Sequence, residues 1–293
     1  MPRLDVRKTY KLLIGGAFVR TESGRAYTAA PAGRMQEFLA HVPLGSRKDV
    51  RDAVKAARGA FAGWSSRTAY NRGQILYRAA EMLEQRSAEF VDAIRISTGA
   101  SAGAAKKEVA ASVDRLVHFA GWADKISAVL GSVNPVAAPY FDFSTPEPTG
   151  VVGIVAPEAP SLLPLVTRVA AAIVSGNTAV AIGPEKTPIP VLLFGEVAAT
   201  SDLPAGVVNL LAGKKSELVP ALATHRDVDA IDDGSGDAAL GKLVEEEAAD
   251  RVRRVSRPKA VAPADWFLAA KAEGLAALEP FLEIKTTWLP AGV

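Results

Sequence analysis

Catalysis needs nucleophiles, proton carriers or clustered charge, and the first of these is restricted here: none of the 293 residues is a cysteine. Disulfides, thiolate metal sites and thiol nucleophiles are excluded together. His41, His118 and His225 lie far apart with no ligand-like spacing, so they read as surface or packing residues rather than as a zinc site. Asp232-Asp233-Gly234 invites comparison with a calcium loop, but the place of its bidentate Glu falls on Leu243 or Val244, which rules that chemistry out. The run Gly234-Ser-Gly-Asp-Ala-Ala-Leu-Gly241 lacks the glycine spacing of the dinucleotide fingerprint. Glycine-rich turns before helices are common without any ligand. Glu158, beside a predicted strand end, offers an acid or base, although a solvated loop carboxylate is the commoner case. Trp64, Trp122, Trp266 and Trp288 read as core or interface anchors.

These residues must be placed by the elements around them. Ser46 with Asp49 predicts a capped helix start, followed by Val50, Ala53, Val54, Ala57 and Phe61 at helical spacing. Ile75 to Leu83 forms a second apolar stripe, a third helix ends near Thr98 before Gly99, and another is predicted from about Ala104 to Val129. The first part of the chain is therefore expected to be mostly helix. Prolines then bracket the alternating run Tyr140 to Ser144, which predicts an exposed hairpin or edge strand. From Val151 onward strand and helix alternate: strands at Val151 to Val155, Thr178 to Ile182, Val207 to Leu211 and Val228 to Ile231. The predicted helices between and after them cover Leu162 to Val174, Pro188 to Thr200, Glu217 to Ala223 and about Asp237 to Arg254. On the last of these, Glu247 with Arg251 and Asp250 with Arg254 stand four apart and are expected to form a solvated charged face. A helix is predicted over Trp266 to Ala277, then a terminal strand carrying Leu282, Ile284, Thr286 and Trp288 on one face. This alternation is the signature of a parallel sheet covered on both faces.

Four fragments of this region follow one another along the chain: Thr149-Gly-Val-Val-Gly-Ile-Val-Ala-Pro157, Val174-Ser-Gly-Asn-Thr-Ala-Val180, Glu185-Lys-Thr-Pro188 and Asp202-Leu-Pro-Ala-Gly-Val-Val-Asn209. In order and spacing they resemble the centre of an aldehyde dehydrogenase, together with Ile14-Gly-Gly-Ala-Phe-Val19 and Arg72 to Leu83. The resemblance runs from about Leu12 to Val255, and Phe281-Leu-Glu-Ile-Lys-Thr-Thr-Trp-Leu289 resembles the family's last strand. It implies an α/β fold, the doubly wound parallel sheet of the nucleotide-binding domain, built from residues 1-134 and 150-258. A small β oligomerisation element is implied from 135-149 and 279-293. Between 258 and 279 the family places its catalytic domain, which the resemblance implies is largely absent.

The family's enzymes attack an aldehyde with a cysteine thiolate, pass hydride to NAD or NADP, and hydrolyse the thioester with a glutamate base. The resemblance puts the oxyanion-binding Asn at Ala159, within Pro157-Glu158-Ala159, so a methyl group replaces an amide. Loss of one such donor costs about 3 to 4 kcal/mol of transition-state stabilisation in other enzymes. The glutamate base aligns near Pro258, in Ser256-Arg257-Pro258-Lys259, which cannot take a proton. No residue is left in a catalytic role. The family holds the adenosine ribose with a Lys and a Glu, and here Ile182-Gly183-Pro184-Glu185 keeps only Glu185. Gly236 and Gly241 preserve the spacing of the glycines near the pyrophosphate, but Asp237 replaces a Ser, and Asp232 and Asp233 lie just upstream. A carboxylate at a helix N-terminus takes the dipole end that a phosphate would use. Each like charge nearby opposes a phosphate by about 1 to 4 kcal/mol, depending on exposure. Glu185, Gly236 and Gly241 are thus vestigial cofactor residues, holding NAD or NADP weakly if at all.

The implied reading is an inactive pseudoenzyme that serves as a structural or regulatory subunit. It would be a homo-oligomer, or a hetero-oligomer with a full-length aldehyde dehydrogenase, because the strands at 139-148 and 281-289 would leave bare edges and loss of the catalytic domain would uncover a face. Two alternatives compete with it: a residual NAD(P)-dependent oxidoreductase acting on aldehydes without a thiol, and a nucleotide-sensing module that binds cofactor without turnover. Bulk composition narrows the rest. A hydrophobic fraction of 49% supports a globular core, and a net charge of +2 gives no field for nucleic acid. Glu158, Arg168 and several prolines interrupt the most apolar stretch, so no membrane span is expected. The leader Met1 to Gly16 has too short an apolar patch for a secretory signal, which predicts a cytoplasmic protein.

Overall fold

The computed structural model describes residues 8–33, 37–258 and 261–291. The first seven residues of the leader, Lys259 and the last two residues of the predicted terminal segment lie outside that set. Strands β1 (Leu12–Ile14) and β2 (Ala17–Val19) form one hairpin, and β3 (Ala26–Ala29) and β4 (Ala40–Pro43) pair antiparallel. Helices α1 (Arg47–Ser65), α2 (Ala69–Gln85), α3 (Ser87–Thr98), α4 (Ala102–Ala120) and α5 (Ile126–Leu130) follow, then β5 (Ser132–Asn134) and β6 (Tyr140–Pro148). The alternating half comprises β7 (Val151–Val155), α6 (Leu163–Val174), β8 (Thr178–Ile182), α7 (Ile189–Thr200), β9 (Val208–Leu211), α8 (Lys215–Ala223), β10 (Ala230–Asp233), α9 (Ala238–Ala249) and β11 (Arg254–Ser256). After a 3-10 turn at Asp265–Phe267 come two single-turn helices, α10 (Ala269–Ala272) and α11 (Leu275–Leu278), and then β12 (Leu282–Pro290).

The main sheet has seven strands in the order β11-β10-β7-β8-β9-β1-β2. The five from β11 to β9 are parallel, while β1 and β2 close one edge antiparallel. Side chains alternate across a strand, and β7 uses both faces: Val152 and Ile154 join the core under α2, α4, α6 and α7, while Val151 and Val155 join the one under α1, α8 and α9. Burial on both sides explains the unbroken apolar runs. Helix α1 starts as its sequence dictates. The Ser46 hydroxyl accepts from the Asp49 N–H, and the Asp49 carboxylate accepts from the Ser46 N–H at 2.8 Å.

Several expectations need correction. Among the described residues before Ser46, the four strands β1 to β4 precede the first helix, and no strand was predicted there. The predicted helix from Ala104 to Val129 stops at Ala120, where Gly121 begins a turn before α5. The run at Tyr140 is the central strand of a second sheet, ordered β12-β6-β5, not an edge. Asn134 explains the extra strand β5, because its amide donates to Asp142 and Ser144 on β6 at 3.0 and 2.9 Å. Helix α9 ends at Ala249, five residues early, and Arg254 opens a strand instead. Arg254 therefore pairs with Glu283 on β12, and Arg251 donates to the Thr224 carbonyl, in place of the two predicted helical pairs. The single helix expected over Trp266 to Ala277 is split at Gly274, which takes φ +86°. Residues 261–281 fold over the face of α4 and α6 and bury Trp266, Ala272, Leu278 and Phe281. Among the described residues, no helix is long and apolar enough to cross a membrane.

Candidate functional site

In open parallel sheets, ligands bind in the crevice beyond the carboxyl ends of the strands. Here that rim is formed by the loops after β7, β8, β9 and β10. The first three meet at a cluster of charge. Glu158, after β7, accepts from the Glu185 and Lys186 N–H groups after β8, both at 3.1 Å. Its carboxylate also pairs with the ammonium of Lys215, which stands at the start of α8 and is almost wholly buried. The carboxylate of Glu185 accepts from the Lys215 N–H at 3.1 Å, and its carbonyl accepts from the Tyr27 hydroxyl at 3.2 Å. Burial pushes the Glu158 pKa up, but the Lys215 ammonium and the two N–H donors outweigh it and leave the group below the ordinary carboxylate value. Tyr27 is raised far above an ordinary phenol, first by burial and then by Glu185 and Glu158.

The fourth loop is organised by other charges. Asp232 receives a bidentate bond from Arg168 of α6 at 2.6 and 2.5 Å, and the Arg168 guanidinium stacks over Phe281 at 4.8 Å. Asp233 accepts from the Ser235 N–H at 3.0 Å, and Arg257 lies 3.7 Å from its other oxygen. Asp237 caps α9 through the Ala239 and Leu240 N–H groups at 2.8 and 3.0 Å. Gly236 just before it takes φ +71° with open space around it, a conformation that favours glycine for the turn alone. Gly241 is buried under the Arg257 guanidinium, which any side chain there would displace. Among the described residues, no group of three or more His, Asp and Glu side chains could hold a metal ion.

The sequence profile of the aldehyde dehydrogenase family matches residues 18–257. This chain belongs to the aldehyde dehydrogenase family. Cytosolic 10-formyltetrahydrofolate dehydrogenase of Mus musculus is 34% identical over 261 residues, which cover 87% of this chain and 28% of that protein. The putative aldehyde dehydrogenase DhaS of Bacillus subtilis is 31% identical over 251 residues, 85% of this chain and 50% of that one. Among solved structures, HpcC from Thermus thermophilus superposes with a TM-score of 0.81 at 29% identity, covering 86% of this chain and 48% of that chain. The NAD+ complex of an aldehyde dehydrogenase from Bacillus cereus gives 0.78 at 27% identity, with coverage of 85% and 50%. The chain thus spans half or less of the length of each.

Set against the family's site, the structure scatters what the sequence singled out. Ala159 is exposed in the loop after β7, and Pro258 is half-buried just after β11. Glu185 is drawn into the cluster with Glu158 and Lys215, while Gly236 and Gly241 stand in the other group with Asp237 and Arg257. Glu158 is not the solvated carboxylate expected of a loop; it ties three loops together. The residues that sequence reasoning missed are Lys215, Arg168 and Arg257. Lys215 follows a parallel strand by a few residues, which was a usable signal, whereas nothing local marks Arg168 as the partner of Asp232 sixty-four positions away.

Proposed function

We propose that this aldehyde dehydrogenase family member is a catalytically inactive cytoplasmic pseudoenzyme that serves as a structural or regulatory subunit, paired with itself or with an active relative. The observation that carries this reading is the absence of cysteine from all 293 residues. Covalent aldehyde oxidation needs a thiolate, and a serine would need a base and an oxyanion hole in its place. Ala159 and Pro258 stand where the resemblance puts the oxyanion donor and the base, and neither side chain donates or accepts a proton.

The residues at the crevice do not fit a dinucleotide. Glu185, the one retained ribose residue, already accepts from Lys215, and Lys215 in turn is neutralised by Glu158. The end of α9 that a phosphate would approach is capped by Asp237, with Asp232 and Asp233 behind it. The Bacillus cereus relative binds NAD+; the Lys215–Glu158 pair and the Asp237 cap are what weigh against carrying that property over. Calorimetric titration with NAD and NADP tests the reading, alongside an acetaldehyde oxidation assay. No binding at millimolar cofactor and no turnover is the expected result. Micromolar binding with turnover would establish a residual oxidoreductase instead, and binding without turnover a nucleotide sensor.

A further inference from the structure

At the opposite end of the main sheet, where β7, β10 and β11 begin, Thr149, Arg226, Arg251, Arg253 and Arg254 line a cavity of about 270 Å³ together with Asp229 and Glu283. Both carboxylates are already engaged, Asp229 through its Oδ2 alone, and the charge of Asp229 still acts on Arg253. Glu283 gives both oxygens to Arg254 at 2.6 and 2.7 Å. Asp229 accepts from Arg58 at 2.5 Å and from the Val151 N–H at 2.7 Å. Three guanidinium groups are left without a carboxylate partner. Arg251 donates to the Thr224 carbonyl at 2.7 Å, and Arg253 to the carbonyls of His225, at 2.6 Å, and Ala223. Arg226 has no hydrogen bond or ion pair among the described residues.

The surrounding field does not cancel this charge. Asp227 and Glu247 act on the group from a distance, but neither forms an ion pair among the described residues, and Arg51 adds a further positive charge near His225. His225 is held below its ordinary pKa, chiefly by burial and then, against the pull of Asp227, by Arg253, Arg251 and Arg51. Arg253 is lowered in the same way by burial and by Arg251. Capping the carboxyl end of α8 explains the main-chain bonds of Arg251 and Arg253, yet it uses one donor of the first and two of the second, out of five each. It does not account for Arg226. Nor does it account for the Thr149 hydroxyl, which is buried without a partner. Val252, between the two capping arginines, is exposed and takes φ +52°, a conformation that β-branched residues resist.

We propose that this cavity binds a doubly charged oxyanion of the phosphate class, with Arg226, Arg251 and Arg253 as counter-charges and the Thr149 hydroxyl as a further donor. Guanidinium groups match phosphate oxygens in geometry as well as charge. Free phosphate and a phosphate monoester present the same chemistry, so sodium phosphate and O-phosphoserine are titrated calorimetrically into the full chain at matched ionic strength. Saturable binding of at least one is expected, about tenfold weaker in Arg226→Gln and a few-fold weaker in Thr149→Val. Tighter binding of phosphoserine assigns the site to a monoester, and tighter binding of phosphate to the free ion. Neither side chain is bonded within the fold, so both variants should keep the wild-type melting temperature without ligand. Absence of saturable heat with either compound, or unchanged affinity in both variants, overturns the proposal, and it does so independently of whether the crevice at the other end binds a cofactor.

Discussion

Glu108 illustrates how a single carboxylate can be structural without being paired. It is buried on α4, and its Oε1 accepts from the Leu162 N–H at 2.7 Å, the Leu163 N–H at 3.4 Å and the Ser161 hydroxyl at 3.3 Å. Helix α6 has no side-chain cap of its own, so a residue from another helix supplies one. Burial nevertheless dominates these donors and raises the Glu108 pKa above its ordinary value of 4.5. A raised carboxyl pKa means that its stabilising contribution is complete below the unfolded value and declines as pH rises through the folded one. Glu108→Gln retains an acceptor and removes the charge, so the variant should gain stability relative to wild type as pH is raised from 4 toward 7. Glu108→Ala strands two buried N–H groups and should lose about 2 kcal/mol near pH 4, a deficit that narrows toward pH 7 because this variant also lacks the titrating carboxyl. Urea unfolding of the three proteins at several pH values measures both effects; a wild-type stability that rises relative to Glu108→Gln over this interval would contradict the assignment. Neither Glu108 nor Glu158 could be placed from sequence, because the groups that bind them come from loops more than twenty-five positions away.

Elements were legible where their period was long or their burial two-sided. The bounds of β7 and β8 agree with the apolar runs read from the sequence, and Gly99 ends α3 where expected, in the left-handed conformation. The three-residue β11 was hidden because so short a strand carries no period, and the charges before it mimic a continuing helix. Residues 261–281 were misread for a different reason: their apolar side chains are aimed at α4 and α6, not at one another along a helical stripe. Two tryptophans test this account of the segment. Trp64 donates its indole N–H to the Ile173 carbonyl at 2.9 Å, whereas the indole N–H of Trp266 is buried without a partner. Trp266→Phe should therefore cost under about 1 kcal/mol, while Trp64→Phe should cost about 1 kcal/mol more by removing a buried hydrogen bond, the Ile173 carbonyl keeping the Gly176 N–H at 3.0 Å. Trp266→Ala, which empties the contact with Leu163 and Ala272, should cost about 3 kcal/mol. Chemical denaturation distinguishes these values, and a Trp266→Ala protein as stable as wild type would mean that the segment does not hold to the face of α4 and α6.

At the scale of the molecule, the second sheet presents an exposed apolar edge among the described residues. Strand β12 runs nine residues beside β6 and forms the outer edge of its sheet, with Ile284 and Trp288 each more than half exposed. Phe141 and Leu289 are opposite one another on the other face, and both are also exposed. A long apolar edge of this kind normally pairs with another chain or is shielded by charge, and the charges present, Lys285 with Glu147 and Arg254 with Glu283, are already paired among themselves. Association through β12 is thus the expected state in solution at micromolar concentration. Ile284→Lys with Trp288→Lys places charge on one face of that edge while removing little that the monomer uses, chiefly the edge-on contact of Trp288 with Tyr140 at 5.9 Å between ring centres, worth about 1 kcal/mol. Light scattering should find the wild type as a dimer or larger and the double variant as a monomer of nearly unchanged stability. A wild type that is monomeric alone, and stays so when mixed with an active aldehyde dehydrogenase, would remove the basis for a subunit role.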